Sequence, residues 1–370
     1  MNSALSSFAQ DICSLVVALG NGQVLRAAQT QTLLAWERTH LSDIWSPSHQ
    51  LETAIEARVA LLQKVVQAIE SDEVTRQSMP LSGTWSEQAA LFWMLWLPLA
   101  LRLDQQQKAL NRPLIQGVLG GQGTGKTTLS KMLQLILAQL GHETLPLSID
   151  DLYLTYAQRQ ALLARDERLI WRGPPGTHDV ALGVETLEAI ASAASGEAVS
   201  IPQFDKSLHG GQGDRSAARS VLSPTIVLFE GWFVGAKPLP ASTFESGSLP
   251  TPIHTPADGQ FAKDCNERLR QYLPLWDFLD DLIVLYPRDY RLSERWRQEA
   301  ERKMKAAGKS GLSDAEITDF VTYFWKALHP ELFITPLTHC EGTSLVVYIE
   351  SDHSVGDLRL PMAGHPETTD

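Results

Sequence analysis

Apolar residues recur every three or four positions through the first 110 residues, which is the spacing of an amphipathic α-helix. The repeat is clearest at Leu51, Ile55, Val59, Leu62, Val66 and Ile69. An apolar run from Ala89 to Leu101 predicts a buried helix that bends near Pro98. We therefore predict that residues 1–110 form an all-helical N-terminal region.

The pattern changes at Pro113, after which short β-rich runs alternate with helical stretches. The runs are Leu114–Val118, Thr144–Ile149, Thr225–Phe229, Leu282–Tyr286 and Ser344–Ile349. Alternation of this kind is typical of a parallel sheet with helices on both faces. We therefore predict an α/β fold in which a mostly parallel five-stranded sheet is flanked by helices.

Residues 111–350 form the predicted α/β domain, and two of its segments lie outside the sheet. Five prolines mixed with Ser, Thr and Gly between residues 237 and 260 predict an exposed insertion. Helical spacing over residues 287–330 predicts a helical lid region. Residues 351–370 are expected to form a loosely ordered tail.

Composition limits the classes of function. Hydrophobic residues make up 44% of the 370 positions and charged residues 20%, as in ordinary globular proteins. A net charge of −12 disfavours nucleic acid and anionic membranes as partners. We therefore expect a small-molecule substrate, and an anionic one needs a local cationic pocket.

The cysteines indicate a reducing compartment. Cys13, Cys265 and Cys340 lie far apart and form no CxxC pair. The N-terminal residues lack the basic and apolar pattern of a secretory signal, and the apolar run at 89–101 is shorter than the ~20 residues that span a bilayer. These features predict a cytoplasmic protein.

The clearest motif is GGQGTGKT at residues 120–127, which follows the first predicted strand and precedes a helix. It matches GxxxxGK[ST], whose glycines let backbone N–H groups surround phosphate oxygens. Lys126 is the predicted catalytic cation at the β- and γ-phosphates, and Thr127 is a predicted Mg²⁺ ligand. Since no GxGxxG motif occurs, ATP is favoured over NAD. The predicted nucleotide-binding residues are Gly120, Gly121, Gln122, Gly123, Thr124, Gly125, Lys126, Thr127 and Thr128.

Acidic residues end two other predicted strands. The second strand leads into Asp150 and Asp151, and the third leads into Glu230. At the carboxyl ends of parallel strands, one carboxylate can hold Mg²⁺ while another accepts the proton of an attacking hydroxyl group. We take Glu230 as the candidate metal ligand. Helix capping is the alternative role for Asp150 and Asp151.

Two segments, 172–179 and 202–215, combine glycine and proline with hydrogen-bond donors. Such donors suit a small anionic substrate in an acidic protein. Surface turns with incidental charge are the alternative interpretation. The candidate donors are Arg172, His178, Lys206 and Arg215.

Arginines recur after the fourth predicted strand at spacings of three, four and seven, which places them on one helical face. They are Arg288, Arg291, Arg295 and Arg302. An arginine on a lid can stabilise the charge of the transferred phosphoryl group, and we take Arg291 and Arg295 as the candidates. The alternative is a solvated face paired with nearby glutamates.

Together these motifs resemble the D-glycerate 3-kinase family of P-loop kinases, which is related to uridine kinase, phosphoribulokinase and pantothenate kinase. The resemblance covers roughly residues 112 to 350. It rests on GGQGTGKTT (120–128), SIDDLY (148–153), RGPPGTHD (172–179), PQFDKSLHGGQGDR (202–215) and FEGWFVG (229–235).

The resemblance implies ATP- and Mg²⁺-dependent phosphorylation of D-glycerate to 3-phosphoglycerate. It implies that Asp150 faces the substrate hydroxyl group as a catalytic and substrate-binding residue. Tyr153 and Asp179, from the same motifs, join the candidate substrate-binding residues. A related kinase acting on pantothenate or a nucleoside, and a non-catalytic ATP-binding protein, remain as alternatives.

Overall fold

The structure is a computed structural model, and it describes residues 10–45, 48–78, 84–245, 249–306 and 311–361. Residues 1–9 of the predicted helical region and residues 362–370 of the predicted tail lie outside this part of the chain.

Where it is described, the chain before residue 110 is helical, as the apolar spacing predicts. The helices are α1 (Gln10–Gly20), α2 (Ala27–His40), α3 (Ser42–Trp45), α4 (Leu51–Ser71), α5 (Glu73–Ser78), α6 (Ala89–Leu91) and α7 (Leu97–Ala109). The long helix α4 buries the predicted face, including Ile55, Leu62 and Val66.

The predicted irregularity at Pro98 is a π-helical turn over Phe92–Trp96, which joins α6 to α7. Pro98 has no N–H to donate to the Met94 carbonyl four residues earlier. That carbonyl instead accepts the indole N–H of Trp45 at 2.8 Å. A side-chain hydrogen bond from the neighbouring helix α3 therefore satisfies the Met94 carbonyl group that proline leaves unpaired.

The rest of the chain forms the predicted α/β fold. The strands are β1 (Leu114–Gly120), β2 (Thr144–Ser148), β3 (Ala198–Asp205), β4 (Asp214–Leu222), β5 (Ile226–Gly231), β6 (Asp281–Pro287), β7 (Thr343–Ile349) and β8 (Val355–Arg359). The main sheet has the order β2-β5-β1-β6-β7-β8, and β8 is its antiparallel edge strand. All five predicted strands are present in it.

The predicted number of strands in the main sheet is wrong. The main sheet of the described residues has six strands rather than five, because Val355–Arg359 of the expected loose tail pairs with β7. The segment 202–215 contains the facing ends of β3 and β4, which form a separate antiparallel pair. Strands β4 and β8 contain mixed polar and apolar residues without a clear apolar alternation. Pairing with a neighbouring strand therefore stabilises each of them.

The remaining helices cover the sheet and its carboxyl edge. They are α8 (Lys126–Ala138), α9 (Tyr156–Arg165), α10 (Val180–Ser192), α11 (Pro256–Arg268), α12 (Leu273–Trp276), α13 (Leu292–Ala306), α14 (Asp314–Ala327) and α15 (Pro330–Phe333). Helix α11 starts inside the segment predicted to be an exposed insertion, 237–260, in which Ile253 is also buried. Among the described helices, none has both the length and the apolarity needed to cross a membrane.

Alternate residues of the strands enter two different cores. Leu345 and Val347 of β7 join a core with the N-terminal helices and α8, whereas Val346 joins a core on the opposite face. This is the period-two side-chain pattern of a sheet covered on both sides. Because β1, β2, β5 and β6 run parallel to one another, their carboxyl ends meet at one edge of the sheet.

Candidate functional site

The glycine-rich motif forms the turn between β1 and α8. Gly123 and Gly125 have φ angles of 79° and 89°, which side-chain-bearing residues rarely adopt. A Cβ atom on Gly120 would lie 2.5 Å from the hydroxyl oxygen of Thr124, so a larger residue does not fit there. The strand–turn–helix geometry predicted for a phosphate-binding loop is therefore present.

Lys126 begins helix α8 and folds back over this loop. Its Nζ donates to the carbonyl oxygens of Gly120 at 2.7 Å and Gly121 at 3.0 Å. Burial lowers the pKa of Lys126, while the negative charges of Glu230 and Asp150 act in the opposite direction. A cation at this position is well placed to meet phosphate charge.

Strands β2 and β5 bring the predicted carboxylates together. Ser148, the last residue of β2, is in register with Glu230 of β5. The turn after β2 is a capping box: the hydroxyl group of Ser148, the cap, accepts the N–H of Asp150 at 3.2 Å, and the backbone N–H of Ser148 donates to the Asp151 carboxylate at 3.3 Å. Asp150 instead lines a cavity of about 570 Å³. The capping box therefore uses the carboxylate of Asp151 and leaves that of Asp150 available for chemistry.

Asp150 lies between two hydrogen-bond donors. Lys206 Nζ donates to Oδ2 at 2.7 Å, and the hydroxyl group of Tyr153 donates to Oδ1 at 2.8 Å. Burial by itself raises the pKa of Asp150, but the charge and hydrogen bond of Lys206, with Tyr153, outweigh it, so the net pKa is lowered. The carboxylate is therefore ionised at neutral pH.

Glu230 faces the same cavity, and its environment suits a cation. Its Oε2 atom is buried and has no hydrogen-bond partner among the described residues. Burial raises the pKa of Glu230, and the nearby Lys126 opposes that change. A buried carboxylate oxygen needs a partner, and the hydroxyl-bearing Thr127 also lines the cavity. These oxygens fit Mg²⁺, directly or through water.

The candidate substrate-binding residues divide into two groups. Tyr153, Arg172 and Lys206 line the cavity together with Asp150. Arg172 donates to the carbonyl oxygens of Gly211 at 2.8 Å and Gln212 at 3.0 Å, which anchors it to the β3–β4 connection. The structure therefore gathers two cations beside the candidate catalytic carboxylate.

His178, Asp179 and Arg215 do not line the cavity, and their contact with substrate stays a prediction. Asp179 caps helix α10 by accepting the N–H of Leu182 at 3.1 Å, and it accepts a hydrogen bond from Arg215 at 2.9 Å. His178 is buried beneath Tyr153. The motif sequence placed these residues near the site, but their contacts in the fold are structural.

The predicted lid arginines also lie outside the lining. Arg291 pairs with Asp289 at 3.2 Å, and Arg295 pairs with Glu299 at 3.1 Å. Arg295 therefore has the contact expected under the alternative interpretation, an exposed arginine paired with a glutamate. Sequence reasoning missed Arg297, which does line the cavity and lies over the ring of Phe320. Its two-residue offset from Arg295 turns it toward a different side of α13.

Part of the cavity wall is aromatic, formed by Trp232, Phe320 and Phe324, which the sequence did not predict. Trp232 follows β5 and packs edge-on against Phe324 of α14, with ring centres 5.2 Å apart. Its indole N–H donates to the carbonyl oxygen of Gly173 at 3.2 Å. A detectable signal was the four-residue spacing of Phe320 and Phe324, which places both rings on one face of α14.

The known proteins to which the chain is similar are kinases. No family model matches the chain. It is 35% identical over 242 residues to the chloroplastic D-glycerate 3-kinase of Arabidopsis thaliana, a match covering 63% of this chain and 50% of that protein. It is also 34% identical over 230 residues to an uncharacterized kinase, mug58, of Schizosaccharomyces pombe, covering 60% of this chain and 82% of that protein.

The solved structures include a D-glycerate 3-kinase from Cryptococcus neoformans. It superposes with a TM-score of 0.61 at 26% identity, covering 70% of this chain and 96% of that one. The match to the Arabidopsis protein spans only half of that protein's length.

Proposed function

We propose that this chain, which is similar to a D-glycerate 3-kinase and to a second kinase, belongs to the D-glycerate 3-kinase family of P-loop kinases and transfers the γ-phosphoryl group of ATP to the 3-hydroxyl group of D-glycerate. The observation that carries this proposal is the shared cavity. It joins the phosphate-loop residue Lys126 to Asp150, Arg172 and Lys206. A cation for phosphate, a base for a hydroxyl group and cations for a carboxylate are therefore adjacent.

At the nucleotide end, the amides of residues 120–127 and the N-terminus of α8 bind the phosphates. Lys126 neutralises charge on the terminal phosphates. Thr127 and Glu230 would hold Mg²⁺, which supplies further charge neutralisation when bound. These residues position the γ-phosphoryl group toward the cavity.

At the acceptor end, Asp150 orients the substrate hydroxyl group and accepts its proton as the new O–P bond forms and the bond to ADP breaks. Its lowered pKa keeps it ionised and able to accept hydrogen bonds. Lys206 and Arg172 bind the carboxylate, since a three-carbon hydroxy acid offers little else to hold. Most of the rate enhancement then comes from positioning and charge stabilisation.

The test is ADP formation with D-glycerate, L-glycerate, pantothenate, uridine and ribulose 5-phosphate, followed by NMR of the product. We expect stimulation by D-glycerate and 3-phosphoglycerate as product. Asp150→Asn should lower turnover by about 10³-fold while ATP binding persists. Near-normal turnover in that variant removes Asp150 from proton transfer.

A nucleoside is the second candidate acceptor, and the aromatic wall formed by Trp232, Phe320 and Phe324 favours it. Planar bases stack on such rings. Two cations beside the catalytic carboxylate favour an acid instead. The panel separates these acceptors, and ATP binding without stimulation by any of them would indicate a non-catalytic nucleotide-binding protein.

A cytoplasmic location stays a prediction from the cysteine pattern.

A further inference from the structure

Tyr153 is held at Asp150 by a second buried ring. Its hydroxyl group donates to Asp150 Oδ1 at 2.8 Å, and its side chain is 4% exposed. The ring of His178 stacks on it with centres 4.6 Å apart and planes 21° apart. Phe204 meets Tyr153 edge-on at 5.0 Å. Tyr153 therefore has little freedom to turn away from the carboxylate.

The backbones carrying these two rings are also joined. Tyr153 and His178 form an isolated antiparallel bridge. On either side, Leu154 donates to the Thr177 carbonyl oxygen at 3.0 Å, and Asp179 donates to the Leu152 carbonyl oxygen at 2.7 Å. In a cross-strand pair of this kind, side chains are neighbours, so the stack follows from the backbone pairing.

The contacts of His178 define its chemical state. Its Nδ1 lies 2.7 Å from the hydroxyl oxygen of Tyr272, and that oxygen also accepts the N–H of Gly176 at 2.9 Å. Burial lowers the pKa of His178 to about 3, although the charge of Asp150 opposes this, so the imidazole is neutral at pH 7. Burial likewise raises the pKa of Tyr272, which keeps its proton available to Nδ1.

On the proposed function, we infer that His178 is a positioning residue. Its neutral ring, anchored by Tyr272, holds the Tyr153 hydroxyl group on the carboxylate of Asp150 and makes no contact with substrate. The buried rings thus fix the direction in which the base presents its second oxygen to the acceptor. This role replaces the substrate contact that the sequence predicts for His178.

The test combines Tyr153→Phe, His178→Ala and the double variant. Removing the Tyr153 donor destabilises ionised Asp150, so its pKa rises and the acid limb of kcat/KM moves to higher pH. We expect the same direction in His178→Ala, with kcat reduced on the order of 10-fold and KM for D-glycerate nearly unchanged. The double variant should show no further loss.

Two controls keep the outcome interpretable. Thr186→Ala, equally buried on α10, should alter neither kcat nor the pH profile. If His178→Ala does not fold, His178→Phe retains a stacking ring and should keep most of the activity. A raised KM with unchanged kcat, or additive losses in the double variant, would overturn the inference.

Carbon NMR titration of the Asp150 carboxyl group tests the inference without turnover. We expect its pKa to rise in both Tyr153→Phe and His178→Ala. An unchanged titration in His178→Ala refutes the positioning role even in an active enzyme. Failure of the wild-type chain to phosphorylate any acceptor would instead refute the proposed function and leave the titration result standing.

Discussion

The ion pair between Lys206 and Asp150 sets the acid side of the expected pH profile. Burial by itself raises the pKa of Asp150, but the Lys206 ammonium group, 2.7 Å away, and the hydrogen bond from Tyr153 together lower it below its usual value. In Lys206→Gln, burial acts without that cation, so the pKa of Asp150 rises. The base then becomes protonated at a higher pH, and we expect the acid limb of kcat/KM to move upward.

The measurement is a pH–rate profile of Lys206→Gln against wild type. Lys131→Gln removes one exposed positive charge from α8 and serves as the matched control. Its profile should coincide with that of the wild type. An acid limb unmoved in Lys206→Gln would show that the limb reports a group other than Asp150.

Arg297 is the residue of α13 that we expect to act on the phosphoryl group. Both Arg297 and Arg295 pair with glutamates of the same helix, Glu301 at 3.5 Å and Glu299 at 3.1 Å, but Arg297 lines the cavity and Arg295 does not. Arg297→Gln should lower kcat on the order of 10³-fold, because charge on the transferring group loses a cation. Arg295→Gln should stay close to wild type in steady-state kinetics. Equal losses in the two variants would contradict this assignment.

At the scale of elements, the local sequence predicted the N-terminal helices and the irregularity near Pro98. It did not predict which distant side chains bond to the backbone carbonyl groups that this irregularity leaves unpaired. The π-helical turn before Pro98 releases the carbonyl of Trp93, which then accepts a hydrogen bond from Arg58 at 3.2 Å. Arg58 also forms a fully buried ion pair with Glu37 and lies over the Trp93 ring. One arginine therefore joins α2, α4 and the turn.

Breaking this ion pair should destabilise the fold. In Glu37→Gln the Arg58 charge stays buried without its counter-ion, which costs about 3 kcal/mol in the free energy of unfolding. Urea denaturation measures the change. Glu73→Gln, from the exposed pair with Arg76, is the control and should have no measurable effect. The double variant Glu37→Met with Arg58→Met should recover part of the loss, since neither charge remains buried.

At the scale of the whole molecule, the N-terminal helices and the α/β part share a core. Leu33 and Leu62 of the helical region belong to the same buried cluster as Val118, Leu285 and Val347 of the sheet. One face of the sheet is therefore covered by residues that precede it in sequence. This arrangement makes the two parts interdependent in stability.

A chain that starts at residue 111 exposes that sheet face. We expect it to be insoluble or to lack a cooperative thermal transition, because the uncovered apolar strand residues aggregate. Calorimetry and tryptophan fluorescence of the full chain should give coincident transitions. A soluble truncated chain that melts cooperatively would show that the α/β part folds on its own.

The sequence by itself determined the elements whose signals are local. Helical spacing marked the N-terminal helices, β-rich runs marked five strands of the main sheet, and the glycine motif marked the phosphate loop, because backbone conformation there follows from nearby residues. It also singled out Asp150 and Glu230 as candidates, since polar residues that end parallel strands gather at one edge of the sheet, and Lys206 as a hydrogen-bond donor in the segment 202–215.

Tertiary structure decided which side chains face the cavity. The Asp151 carboxylate rather than that of Asp150 joined the capping box, Arg297 rather than Arg295 reached the cavity, and His178 became buried beneath Tyr153. Strand β8 formed because β7 offered an edge to pair with. These outcomes depend on contacts between segments far apart in sequence, and hydrophobic periodicity or motif spacing carries no information about such contacts.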